Sequence, residues 1–304
     1  MTNSIGIIGM GWVGSSVAIS VLNLGLCRNL LLNDARPGIA EGEAMDLNHG
    51  SSFFPSADVR AARIEEMHGC TAIVISAGRG GKPGETRLDL LRENLEIAKD
   101  ISSRLKGYEG ILIIVSNPVD VLTYYYQKYT GLPAGRVIGT GTFLDTVRLR
   151  ESISSKLGIE PKGIHAFVIG EHGDSEVVLW SKATAGGQNI REWPNWQAAY
   201  EHEIAEEVRT AAYEIIKRKG STNHAIGLVT ATLLKWILRG GRRVVTLSTV
   251  INGPFGLRDV AISLPSLISE NGVESIMPIQ ITDYEQEGLQ RSAAVIRDAI
   301  ASVR

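Results

Sequence analysis

The sequence predicts an α/β protein, with an N-terminal doubly wound parallel sheet of the Rossmann type followed by a C-terminal α+β domain. Three observations carry that expectation. Short apolar runs at residues 5–8, 30–32, 72–76 and 111–116 are separated by loop and helix signals, an alternation that builds a parallel sheet covered on both faces. The first run passes directly into GMGWVG at residues 9–14 and a helix-like stretch at 15–24, so strand, glycine turn, helix and second strand form one βαβ unit. After about residue 140 the rhythm lengthens, with helical patterns at 145–157, 201–219 and 227–238, strand-like runs at 164–169 and 244–250, and a closing helix at 285–303. A boundary near Gly139-Thr140-Gly141 therefore divides the chain into residues 1–140 and 141–304.

Composition limits the function classes. The 304 residues are 44% hydrophobic and 21% charged, the profile of a soluble globular protein long enough for two domains. A net charge of −2, from 31 basic against 33 acidic residues, gives no global field for nucleic acid or an anionic membrane. Cys27 and Cys70 are the only cysteines and lack the spacing of a metal or redox site, so no metal is expected and a reducing, cytoplasmic compartment fits. The first strand follows residues 1–4 with no basic leader. No apolar run approaches the roughly 20 residues that span a bilayer.

Gly9, Gly11 and Gly14 fit G-x-G-x-x-G in the context that gives the motif meaning, directly after a strand and opening a helix. There the glycines allow a tight turn and a close backbone approach, and the helix N-terminus offers free N–H groups to a pyrophosphate. A glycine-rich packing turn is the plain alternative. Asp34 shifts the balance, because it lies 20 residues beyond Gly14 at the end of the second apolar run, where a carboxylate accepts hydrogen bonds from an adenosine ribose and disfavours a 2′-phosphate. NAD is expected over NADP. Ala77 and Gly78, just after the third run, are expected to border the same cofactor.

His172 stands in GEHGDS, a glycine-flanked turn after an apolar run. An imidazole titrates near neutrality, so a positioned one can give or take a proton during a reaction. Five other histidines are present, and a lone histidine is more often structural. Asp145 and Arg148 are three residues apart in a helical pattern and share one face. The carboxylate there could orient His172 and favour its charged form, while the guanidinium could grip a substrate carboxylate through two parallel hydrogen bonds. A surface ion pair is the competing explanation. Arg87 follows the polar segment GRGGKPGET, a loop able to close over a ligand. Asn117, after the fourth run, sits where open α/β sheets place ligand groups.

These motifs together, GMGWVG, GEAMDLNHG, GGKPGETRLDL, SNPVDV, GTGTFLDTVRLR and GEHGDSE, resemble the lactate and malate dehydrogenase family over essentially the whole chain, with the bacterial L-lactate enzymes nearest. The resemblance implies that His172 is the proton donor and acceptor, Asp145 its partner, Arg148 the group that binds the substrate carboxylate, and Arg87 the loop arginine that polarises the reacting carbonyl. It also implies that Asn117 and Thr222 line the substrate pocket and that Ile226 packs on the nicotinamide ring. Arg150 and His165 match positions that bind fructose 1,6-bisphosphate between subunits of bacterial lactate dehydrogenases, so a homotetramer activated by that ligand is expected. The alternative is an exposed arginine and a capped histidine.

The residue before Lys82 separates substrates in this family: lactate enzymes usually carry glutamine and malate enzymes arginine. This chain has Gly81. Without a cation there, a second substrate carboxylate is left unpaired, and the missing side chain enlarges the pocket. L-Lactate dehydrogenase activity with relaxed side-chain tolerance is the expectation. A branched-chain 2-hydroxy acid dehydrogenase, then a malate dehydrogenase, are the alternatives within the class, and a non-catalytic NAD-binding sensor lies outside it. Trp193 and Trp196 belong either to a surface loop or to a subunit contact.

Overall fold

Strands buried on both faces read as unbroken apolar runs, and the centre of this protein is built from them. The computed structural model describes residues 3–80 and 86–303, with Arg87 described by its backbone alone. In chain order the first half contains β1 (Ser4–Ile8), α1 (Trp12–Asn23), β2 (Asn29–Asn33), α2 (Pro37–His49), β3 (Asp58–Ala61), β4 (Ala72–Ile75), α3 (Arg87–Arg104), β5 (Ile111–Ile114), α4 (Val119–Thr130) and β6 (Val137–Gly139). These six strands are parallel, in the spatial order β3-β2-β1-β4-β5-β6. The order reverses between β1 and β4, and the carboxyl ends of strands at such a switch point are where ligands bind.

Side chains alternate across the sheet and so supply two cores. Ile7 and Val74 face Val17 and Val21 of α1. Ile8, Ile73 and Ile75 face Leu95 and Ala98 of α3 and Leu122 of α4.

The second half contains α5 (Phe143–Leu157), β7 (Ile164–His165), β8 (Val168–Ile169), β9 (Val177–Val178), β10 (Thr184–Ala185), β11 (Gln188–Asn189), α6 (Ala199–Lys219), α7 (His224–Leu238), β12 (Arg243–Asn252), β13 (Arg258–Ser269), β14 (Gly272–Ile276) and α8 (Asp283–Ala301). β12 lies antiparallel against β6, with Ser248 opposite Gly139, and β13 and β14 extend the sheet to nine strands. α8 starts at a capping box in which Thr282 and Glu285 bond each other's backbone N–H, a sequence-coded start signal.

The expected single strand at 164–169 is instead two strands of two residues each. Ile164–His165 pairs with β10, and Val168–Ile169 pairs with β9. Side chains of α5 and of Thr142 just before it bond the backbone of Ala166 and Val168 here. Arg150 donates to the Ala166 carbonyl, Thr142 Oγ1 donates to the Val168 carbonyl, and Thr146 Oγ1 accepts from the Val168 N–H. The chain also turns at Gly170, where φ is +95°, so the run from His165 to His172 is not extended.

Trp193 and Trp196 pack against a third cluster formed by Leu149, Ile153, Ile164 and Ile204. Trp196 sits between Trp180 and Tyr200, with ring centroids 6.0 and 5.6 Å away.

Candidate active site

The turn after β1 is shaped by contacts that only glycine tolerates. Gly9 has φ +97°, and a Cβ there would lie 2.5 Å from the Ala77 nitrogen. A Cβ on Gly14 would lie 1.9 Å from the Gly9 carbonyl oxygen, so α1 leaves the turn at a distance that excludes any side chain. Gly11 is different: nothing lies within 4 Å of its Cβ position, and it precedes α1 with no side-chain cap. The first N–H groups of α1 thus face open space beside a bare backbone, the arrangement that receives a pyrophosphate.

Asp34 is fixed at the end of β2. Its Oδ2 accepts from the Met10 N–H at 2.9 Å and its Oδ1 from the Arg36 N–H at 3.0 Å. A groove of about 640 Å³ passes over Met10, Gly11 and Trp12 towards Arg36 on one side and Asn223 on the other. Ala77 and Gly78 are held at the neighbouring strand end: Ser116 Oγ donates to the Ala77 carbonyl at 2.6 Å, and buried Asn94 accepts from the Arg79 N–H at 2.9 Å. These residues fit a dinucleotide, and Ser116 and Asn94 add supports that the sequence did not single out.

The second group forms around His172. Its turn is anchored on three sides. Gly170 exchanges backbone hydrogen bonds with Ser263 of β13, Glu171 donates its N–H to Ser292 Oγ of α8 at 2.6 Å, and the His172 N–H donates to Asp120 Oδ2 of α4 at 2.8 Å. The imidazole Nδ1 lies 2.6 Å from Asp145 Oδ2, and Arg148 Nη1 donates to the other oxygen, Oδ1, at 2.9 Å. The expected shared face of α5 is therefore real, and one carboxylate joins both side chains.

Charge follows from this packing. Asp145 is 2% exposed; burial works against its charge, but His172 and Arg148 outweigh it and hold the carboxyl below its ordinary range. Burial likewise opposes the imidazolium. The charge and hydrogen bond of Asp145, then Asp120 and Glu176, outweigh it and push His172 up to about 9. Asp120 is pushed up to about 6 by burial, against the pull of Ser248 and the His172 amide. The result is an imidazole that carries its proton at neutral pH, with Nδ1 committed to Asp145 and Nε2 left for exchange.

Asn117 is exposed at the end of β5 and accepts from the Val119 N–H, three residues before Asp120. Thr222 and Ile226 are half-buried at the start of α7. Between them Asn223 is buried, donating to Ser16 Oγ of α1 and accepting from Lys219 Nζ. Among the described residues no hydrogen bond joins Asn117 or Thr222 to the His172 group. Gly81 and the Arg87 side chain lie outside the described residues.

Arg150 points away from this group, as its place on the helix requires. Both Nε and Nη2 donate to the Ala166 carbonyl at 3.2 Å, and the guanidinium lies 5.8 Å from the centre of the Phe167 ring. It is half-buried rather than exposed, and burial holds its pKa below the ordinary arginine value. His165, beside Ala166, is exposed. Among the described residues no His, Cys, Asp and Glu side chains cluster as a metal site, and no helix is long and apolar enough to cross a membrane.

Residues 3–139 match the model of the lactate/malate dehydrogenase NAD binding domain, and residues 142–304 match that of the lactate/malate dehydrogenase alpha/beta C-terminal domain. The L-lactate dehydrogenase of Synechococcus sp. (strain JA-3-3Ab) is 42% identical over 98% of both chains. That of Fervidobacterium nodosum is 44% identical over 99% of this chain and 98% of its own. Among solved structures, a minor L-lactate dehydrogenase from Enterococcus mundtii in a ligands-bound form superposes with a TM-score of 0.97 at 38% identity, covering 100% of this chain and 99% of the other. With both halves matched and full-length relatives at this identity, the chain belongs to the lactate/malate dehydrogenase family.

Proposed function

We propose that the protein is an NAD-dependent L-lactate dehydrogenase, interconverting pyruvate and L-lactate. The observation that carries this reading is the Asp145 carboxylate held between His172 and Arg148, in a chain whose full-length relatives are L-lactate dehydrogenases. Bound NADH supplies the hydride to C2 of the 2-oxo acid. Protonated His172 gives its Nε2 proton to the carbonyl oxygen, and Asp145 stabilises the imidazolium until that transfer. Arg148 retains donors beyond the one used on Asp145 and binds the substrate carboxylate. Arg87 polarises the carbonyl, and Asn117 and Thr222 complete the pocket. Gly9, Gly11, Gly14, Asp34, Ala77, Gly78, Asn117 and Ile226 hold the cofactor, with residues 1–140 as its domain and 141–304 as the substrate domain. The free, buried Cys27 and Cys70 suit a reducing cytoplasm.

Gly81 is proposed to set the substrate range: as a glycine it carries no charge for a second carboxylate and no side chain to limit the substrate's size. Steady-state NADH oxidation with pyruvate, longer 2-oxo acids and oxaloacetate tests this. The highest kcat/KM is expected with pyruvate and measurable turnover with longer acids. Preferred oxaloacetate turnover contradicts the assignment, and no turnover with any acid points instead to a nucleotide sensor.

The protein is further proposed to assemble as a homotetramer, which suits the exposed Trp12, Met45, Phe53 and Leu228. Arg150, which donates to the Ala166 carbonyl, and His165, the residue before Ala166, are the proposed fructose 1,6-bisphosphate ligands at a subunit contact. Activation of the wild type by that compound and its loss in Arg150→Gln support this; equal insensitivity of both removes it.

A further inference from the structure

Four residues beyond His172, Glu176 is packed inside the protein at 9% exposure, and its Oε1 is buried with no hydrogen-bond partner. A buried carboxyl lacking a donor costs free energy that an apolar side chain of the same size would not. Packing alone therefore does not account for it. Beside it lies a cavity of about 260 Å³, walled by residues 175–178, by Arg209 of α6, and by Tyr284 and Arg291 of α8. Arg209 Nε is also buried without a partner, although its Nη1 is bonded to Glu206. Glu176, Arg209, Tyr284 and Arg291 bring polar atoms to a wall otherwise made by Val177, Val178, Trp180 and Ala205, and the space beside them is wide enough for water to supply a donor to Glu176 and an acceptor to Arg209.

Charged groups face Glu176 from every side. His172 lies in its own turn, which the Glu176 N–H closes by donating to the Gly173 carbonyl at 3.2 Å; Asp145, bonded to His172, and Arg148 lie on α5, and Arg209 of α6 lines the same cavity as Glu176. Across the cavity Arg291 of α8 is paired with Glu287 at 3.8 Å, and beyond His172 stands Asp120 of α4. Burial pushes the Glu176 carboxyl up to about 8, and the charge of Asp145 adds to that rise, while His172, Arg209 and Arg148 pull against it.

We propose that Glu176 is a positioning residue for proton transfer: a buried carboxyl in the turn that carries His172, whose own charge sets the pH at which His172 releases its proton. The proposal rests on His172 being the acid and base of the reaction. As pH rises, Glu176 yields its proton to cavity water; the carboxylate that remains attracts the imidazolium through a medium of low dielectric and delays its loss of the proton. The imidazole thus stays charged further into the alkaline range than Asp145 and Asp120 alone would keep it.

The test is an NMR titration of the His172 ring in the ligand-free protein, alongside the pH profile of kcat/KM for pyruvate. Glu176→Gln is expected to lower the ring midpoint by about half a pH unit or more and to move the alkaline limb of the profile with it. Glu176→Asp, which keeps the charge, is expected to retain the wild-type midpoint. Identical midpoints in wild type and Glu176→Gln overturn the proposal. Should Glu176→Gln not fold, the wild-type ring decides: a shoulder near pH 8 ahead of the main transition supports coupling, and its absence refutes it. A wild type that titrates as expected but never turns over pyruvate removes the reading of the reaction, not the electrostatic role of Glu176.

Discussion

Asp145 and His172 meet at 2.6 Å between Oδ2 and Nδ1, where α5 passes the turn after β8. That contact selects the tautomer, since Nδ1–H must point at the carboxylate, and it opposes the burial that would otherwise discharge the ring. Asp145→Asn keeps the shape and removes the charge. The expected outcome is a fall in kcat for pyruvate of about a thousandfold or more, with the His172 midpoint dropping from about 9 towards its ordinary 6.5. NADH affinity, measured by fluorescence, should be nearly unchanged.

The two directions of reaction should respond to pH with opposite sign. Pyruvate reduction needs the imidazolium, so its kcat/KM holds through neutrality and declines as pH passes about 9. Lactate oxidation needs the neutral ring and rises over the same interval. Stability follows the same linkage: the folded midpoint lies above the unfolded value of 6.5, so the contribution of His172 is complete below 6.5 and is lost as pH rises through about 9. Paired initial-rate profiles and a series of melting curves check both.

The glycines of the first turn should separate folding from cofactor binding. Gly14→Ala places a Cβ 1.9 Å from the Gly9 carbonyl oxygen and should lower the melting temperature by several degrees, as a clash of that kind costs about 1–3 kcal/mol. Gly11→Ala meets nothing within 4 Å. Its melting temperature without ligand should match wild type, while NADH affinity falls about tenfold or more, because the added methyl occupies space the pyrophosphate needs. Thermal melts with and without NADH distinguish the two.

How far the sequence could be read depended on how local the signal was. The GMGWVG turn, Asp34, His172 and the i,i+3 pair Asp145 and Arg148 are encoded within short windows, and the structure ties Asp34 to the turn at Met10 and joins Asp145 to both His172 and Arg148. Asp120 escaped notice because its role arises only when α4 meets a turn 52 residues away. Glu176 reads as one more acid in GEHGDSE until burial removes its partners. Residues 164–169 carry the composition of one strand, but side chains of α5 and of Thr142 before it bond the backbone at Ala166 and Val168, which no local pattern foretells. β13, 12 residues that extend the sheet past β12, was also missed; it pairs antiparallel across a sheet whose parallel half had set the expectation.

The central claim is that His172 delivers the proton that accompanies hydride transfer. Rapid mixing of the enzyme–NADH complex with pyruvate, followed by NADH absorbance in a single turnover, measures that step directly for wild type and His172→Asn. Fast loss of NADH in the wild type is expected, with a rate about a thousandfold lower in the variant and NADH affinity retained. Equal single-turnover rates in the two proteins would contradict the assignment of His172.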